Sequence, residues 1–84
     1  MIIKVLGSGC ANCHKLEALA VQAVGELGLE AEIVKVTDYP AIMGYGVMST
    51  PALVIDEKLV LAGRVPSYEE VVTMLRRSST EGGN

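Results

Sequence analysis

Neither phenylalanine nor tryptophan occurs among the 84 residues, and tyrosine occurs three times. That scarcity does not suit an aromatic-rich β-sandwich. Hydrophobic residues still make up 50% of the chain, mostly Val, Leu, Ile and Ala, a set that suits helices laid on a short sheet. Positive charge is also scarce. The net charge is −3, and no basic cluster exceeds Arg76-Arg77, expected in the last turn of the final helix, where it complements the helix dipole. Nucleic acid is therefore not an expected partner. Apolar runs are too short to span a bilayer, so no membrane role is expected. No basic leader followed by an apolar region is seen, and the expected location is cytoplasmic.

Cysteine occurs twice and histidine once. Cys10 and Cys13 are too close to staple the fold, because so short a loop restricts the unfolded chain little. A reducing compartment would also disfavour a structural bridge. A tetrahedral zinc site needs four ligands, and beyond the two thiols only His14 is at hand, so no metal or other cofactor is expected. Length allows one domain, of a size marginal for a core of its own.

Residues Ile2 to Leu6 form a β-branched run broken only by Lys4, as in a strand covered on both faces. Gly7-Ser8-Gly9 permits a tight turn. A helix follows from about Cys10 to Leu27, with Cys13, Leu16, Leu19, Ala20, Ala23, Val24 and Leu27 on one face. Gly28 stops it. Ala31 to Val36 is a second strand. Thr37 or Asp38 caps a short helix with Pro40 in its first turn. Ala52 to Ile55 is a third strand, Asp56-Glu57-Lys58 a turn, and Leu59 to Ala62 a fourth strand. Ser67 with Glu70 fits a capping box, and Val71, Val72 and Leu75 form the buried side of the last helix. Residues 1–77 then form the domain. Residues 78–84 contain no apolar side chain and are expected to be a disordered tail.

The order β-α-β-α-β-β-α places the first two strands parallel, by a right-handed crossover, and the last two antiparallel. The expected α/β architecture is a mixed four-stranded sheet with helices on both faces.

Only a thiolate attacks a disulfide, so a redox cysteine needs a lowered pKa. Cys10 stands at a helix start after a glycine-rich turn, where unpaired N–H groups and the dipole favour negative charge. Cys13 lies one turn on, in register with the buried face. Cys10 is thus the candidate nucleophile and Cys13 the candidate resolving thiol. A C-x-x-C at a strand-to-helix junction of a βαβ pattern is the arrangement that points to thiol–disulfide exchange. Soft thiolates also suit thiophilic ions, so an alternative is a binding or carrier protein for a metal or metalloid such as Cu(I) or As(III). Small metal-carrying domains of that kind usually run β-α-β-β-α-β, unlike this chain.

The stretches Gly7-Ser8-Gly9-Cys10-Ala11-Asn12-Cys13 and Gly46-Val47-Met48-Ser49-Thr50-Pro51-Ala52, with Gly63 before the last helix, resemble the thioredoxin superfamily. They are most similar to its short thioredoxin- or glutaredoxin-like redox-active disulfide proteins of bacteria and archaea. The likeness covers residues 1 to about 77. It implies a thioredoxin fold, a cis Thr50–Pro51 bond beside the cysteines, and substrate binding at Thr50 and Pro51 by strand addition to the backbone of Thr50.

The resemblance implies a thiol–disulfide oxidoreductase acting on disulfide-containing proteins or small thiols, expected to be a monomer. Glutaredoxins bind glutathione partly through a lysine just before the first cysteine. Ser8 and Gly9 supply none, so a thioredoxin-reductase-type donor is expected. Three features depart from common thioredoxins. Asn12 replaces a proline, no Trp precedes Cys10, and Lys4 occupies a place where those proteins bury an acid. Lys4 reads as a snorkelling strand lysine, which would favour a thiolate only if its ammonium reached the site. His14 reads as solvent-facing. Tyr39, Tyr45 and Met48 are read either as rim residues of the site or as packing.

Overall fold

The computed structural model describes residues 1–7 and 11–82, with residues 79–82 described by backbone alone. The elements are β1 (Ile2–Leu6), α1 (Ala11–Leu27), β2 (Glu32–Val36), α2 (Tyr39–Gly44), β3 (Ala52–Ile55), β4 (Lys58–Ala62) and α3 (Tyr68–Gly82). The strands make one sheet in the order β2-β1-β3-β4. β1 and β2 are parallel, and the β1–β3 and β3–β4 pairs are antiparallel. This is the thioredoxin fold expected from the sequence.

Alternation along the strands divides the core into two layers. Ile3 and Val5 of β1, with Leu53 and Ile55 of β3, meet Leu16, Ala20 and Ala23 of α1 and Val71 and Leu75 of α3. On the other face Leu6, Ala52 and Val54 meet Ile42 of α2 and Val47. β3 is buried along its whole length because helices cover both of its faces. Fully burying each such aliphatic side chain contributes about 1.5–3 kcal/mol before conformational entropy is subtracted.

Local signals set the ends of the helices. After α1, Leu29 N donates to the Val24 carbonyl at 3.1 Å, which satisfies one of the last carbonyls of the helix. Asp38 caps α2, its Oδ2 accepting from Ala41 N at 3.2 Å, with Pro40 in the first turn. At α3 the capping box is reciprocal. Ser67 Oγ accepts from Glu70 N at 3.2 Å, and Glu70 Oε1 accepts from Ser67 N at 3.3 Å. Arg64 adds a two-pronged ion pair to the same carboxylate, at 3.2 and 2.7 Å.

β2 begins at Glu32, one residue after the expected Ala31, and two further boundaries differ from the sequence reading. The β3–β4 turn contains two residues, Asp56 and Glu57, both at positive φ (49° and 68°), so β4 begins at Lys58. Two-residue turns of this kind match the twist of a hairpin. Neither residue is Gly or Asn, the strongest signals for such a turn. Asp56 is held by its carboxylate, which accepts from Ile2 N at 2.8 Å. The second difference is at the end of α3. The helix runs on to Gly82, past residue 77, where a disordered tail was expected to begin. Ser, Thr and Glu follow Arg77 with no breaker before Gly82, and a nucleated helix propagates at little cost. Arg76 and Arg77 therefore lie inside α3, not in its last turn. Gly83 and Asn84 lie outside the described residues. No helix among the described residues is long and apolar enough to cross a membrane.

Candidate functional site

The site is built where β1 ends and α1 begins. Ser8, Gly9 and Cys10, the candidate nucleophile among them, lie outside the described residues. Cys13 is in the first turn of α1, 6% exposed, and is disulfide-bonded. Its burial follows from its register with Leu16 and Ala20 on the covered side of the helix.

Gly7 closes over that sulfur. It continues β1, its N–H donating to the Val36 carbonyl at 2.9 Å, and its φ of 152° is one that L side chains rarely adopt. A Cβ at this position would stand 2.3 Å from Cys13 Sγ and 3.6 Å from Thr50 Cβ. Thus Gly7, Cys13 and Thr50, from three separate stretches of chain, converge on one point.

The Thr50–Pro51 peptide bond is cis. Pro51 is buried and Thr50 is exposed. Gly63 fixes this loop from behind. Its N–H donates to the Pro51 carbonyl at 2.9 Å, and a Cβ built on it would stand 3.2 Å from Ser49 Cβ. With φ at +83°, Gly63 combines a glycine conformation with a close approach.

A small cavity of about 120 Å³ opens beside Cys13. Val5 and Gly7 line it from β1 and its end, His14 and Glu17 from α1, and Lys35 and Thr37 from β2 and its end. Glu17 and Lys35 form an ion pair at 3.3 Å. The sequence reading passed over both residues. The signals were there: Glu17 follows Cys13 by four residues on a helix, and Lys35 alternates with Ile33 on the side of β2 that faces α1. His14 is exposed, as expected, at the rim of this cavity.

Lys4 does not join this group. It shares the β1 face of Leu6, which packs toward α2, whereas Val5 and α1 lie on the opposite face. Its ammonium donates to Tyr45 Oη at 2.5 Å and to Glu57 Oε1 at 2.6 Å, and lies 5.2 Å from the centre of the Tyr45 ring. Tyr45 Oη in turn donates to Glu57 Oε2 at 2.9 Å. The hydrogen bond to Glu57, then that to Tyr45, raises the Lys4 pKa. The hydrogen bond from Lys4, then that from Tyr45, holds the Glu57 carboxyl below its ordinary range. Lys4 is thus a half-buried lysine engaged with the hairpin, on the sheet face away from Cys13. Tyr45 packs against the α2-side core, while Tyr39 and Met48 are exposed, Met48 almost completely at 98%.

Among the described residues, no group of three or more His, Cys, Asp or Glu side chains is placed to share a metal ion.

Known proteins resemble the chain in sequence and in fold. The thioredoxin-domain family model matches residues 1–76. A thioredoxin of Methanothermobacter thermautotrophicus is 43% identical over 75 residues, covering 89% of this chain and 97% of that protein. A thioredoxin of Methanocaldococcus jannaschii is 40% identical over 76 residues, covering 90% and 87%. Among solved structures, thioredoxin 1 from the thermophilic eubacterium Thermosipho africanus superposes over the full length of both chains with a TM-score of 0.67. At 18% identity that likeness speaks to the fold alone. With a domain match over nearly its whole length and two relatives at this level of identity, the chain belongs to the thioredoxin family.

Proposed function

We propose that the protein is a cytoplasmic thiol–disulfide oxidoreductase that reduces protein disulfides through Cys10 and Cys13. The observation that supports this best is that Cys13, at the start of α1, and Thr50 both close on Gly7. Cys10 immediately precedes Ala11, the first residue of that helix. Unpaired N–H groups and the helix dipole lower the pKa of a thiol in such a place, typically to about 3.5–7.5. Cys10 is therefore the attacking thiolate. Buried Cys13 is the resolving thiol, shielded from outside disulfides until Cys10 has formed a mixed disulfide.

In the reaction the Cys10 thiolate attacks one sulfur of the substrate disulfide and expels the other as a thiolate. Cys13 loses its proton and attacks Cys10 Sγ. The Cys10–substrate bond breaks as the Cys10–Cys13 bond forms, and the second substrate sulfur leaves and is protonated. Two electrons pass from the dithiol to the substrate. Exposed Thr50, ahead of buried Pro51, offers its backbone to an extended substrate segment, a form of strand addition. The electron donor is a thioredoxin-reductase-type enzyme rather than glutathione, because no lysine directly precedes Cys10.

The test is reduction of a protein disulfide by wild type, Cys10→Ser and Cys13→Ser. Cys10→Ser should be inactive, and Cys13→Ser should stop as a mixed disulfide with the substrate. Turnover by Cys10→Ser, or no trapped adduct on Cys13→Ser, would remove the assignment.

A further inference from the structure

The cavity beside Cys13 holds an ion pair that packing alone does not require. Lys35 is the register partner of Val5, so it stands on the sheet face that α1 covers. A lysine there must reach out or find a carboxylate. It meets Glu17 at 3.3 Å, with 26% of the Glu17 side chain and 53% of the Lys35 side chain exposed. Glu17 lies one helical turn beyond Cys13, on the same side of α1. Both line the cavity of about 120 Å³, which exceeds the ~10–15 Å³ that one water requires. Chemistry supplies the other half of the argument. A buried thiol that must attack as a thiolate needs a proton acceptor within reach, directly or through one water. Glu17 is the one carboxylate among the described residues that line this cavity.

We propose that Glu17 takes the proton of the Cys13 thiol in the resolving step, with Lys35 as the residue that positions its carboxylate. This rests on the dithiol reading above. In that step the Cys13 S–H proton passes to the Glu17 carboxylate, and the Cys13 thiolate attacks Cys10 Sγ. The Cys10–substrate S–S bond breaks, the Cys10–Cys13 bond forms, and the departing substrate thiolate takes the proton back from Glu17 or from solvent. The titratable groups that face Glu17 are Lys35 from β2 and His14 and Cys13 from α1. Among the described residues, β1 and the turn after it contribute Val5 and Gly7, neither of which titrates.

Dithionitrobenzoate separates the two steps. Attack by Cys10 releases one coloured thiolate, and resolution by Cys13 releases a second. The second leaving group is a weak base and needs no proton, so its release reports the loss of the Cys13 proton. Glu17→Gln should leave the first release unchanged and slow the second about 10²-fold near neutral pH, the lower end of what a positioned general base contributes. The pH profile of the second release should change as well. In Glu17→Gln it should climb, more steeply than in the wild type, into the range where a free thiol ionises by itself, about 8.5. Lys35→Met should slow the second release less and keep the wild-type profile. His14→Gln should change neither release. A Glu17→Gln protein with an unchanged second release and profile overturns the proposal and leaves the dithiol reading in place. A tenfold or greater loss in His14→Gln also overturns it, by moving the proton transfer to the imidazole. If Cys13→Ser does not stop after the first release, the dithiol reading fails and this inference falls with it.

Discussion

Gly7 and Cys13 are packed so closely that a methyl group on Gly7 would stand 2.3 Å from Cys13 Sγ. The sulfur is not free to swing aside, because Cys13 is disulfide-bonded. Gly7→Ala must therefore shift the end of β1 or the first turn of α1. Overpacking of this kind costs about 1–3 kcal/mol. The unfavourable φ of Gly7 adds to that cost. We expect a lower urea midpoint at unchanged slope, together with slower resolution of the mixed disulfide. A variant within about 0.5 kcal/mol of wild type, the range of an ordinary surface substitution, would show that position 7 has room the structure does not grant it.

Cys10 should be the more acidic and more reactive thiol. It precedes α1, whereas Cys13 is 6% exposed beneath Gly7. Alkylation of the single variants Cys13→Ser and Cys10→Ser as a function of pH checks this. Labelling of Cys10 should persist into acidic solution, with a midpoint below the ordinary ~8.5 of a free thiol. Faster labelling of Cys13 at low pH would reverse the two roles.

Much of this architecture was legible because its signals are local. The run Ile2 to Leu6, the serine and glutamate three apart at Ser67 and Glu70, and the apolar stripe from Cys13 to Leu27 each predict an element without reference to the rest of the chain. What was not legible depends on how elements cross. Glu17 and Lys35 each carry a local signal of the face they stand on, but their pairing exists only once α1 is laid over β2. Lys4 finds its partners on Tyr45 and Glu57, which become neighbours only once β3 has paired with β1 and the two-residue hairpin has formed. Gly7 read as a turn glycine, and its second task, giving room to a sulfur, appears only when α1 folds back on β1. The end of α3 was misplaced for the opposite reason. The change in composition at Ser78 is a weak signal, and the first true breaker is Gly82.

Removal of residues 78–84 should leave the domain intact. The last core residue of α3 is Leu75, and no apolar side chain follows Leu75 in the sequence. Most of a helix's stability comes from its packed face, which here ends at Leu75, so the loss should be on the order of 0.5 kcal/mol, the scale of an ordinary surface change. A domain of this size would then melt within about 4 °C of the full chain. Disulfide reduction should not change. A much larger fall would mean that the end of α3 docks against the body of the protein.

Lys4, Tyr45 and Glu57 make stability depend on pH in a direction that can be worked out. The Glu57 carboxyl is held below its ordinary range, chiefly by its hydrogen bond to Lys4 and next by that to Tyr45. The folded state therefore binds a proton there less readily than the unfolded chain. Its contribution is present above the unfolded carboxyl pKa and is lost as pH falls through the lower, folded value. Lys4 is the mirror case. Its pKa is raised, chiefly by the hydrogen bond to Glu57, so its contribution is present below the unfolded lysine pKa and is lost as pH rises through the higher, folded value. Glu57→Gln removes the charge but leaves the side-chain shape and the cost of the positive φ as they are. The variant should be less stable than wild type at neutral pH. The gap should close on the acid side as Glu57 is protonated in the wild type, and again on the strongly alkaline side as Lys4 loses its proton. Because the Glu57 side chain is 63% exposed, added salt should also narrow the gap. Urea midpoints of both proteins across the pH range, at low and high salt, decide the matter. A stability difference that is the same at acid, neutral and alkaline pH would mean that the three groups act by shape and packing, and that their charges contribute nothing to holding the hairpin against β1.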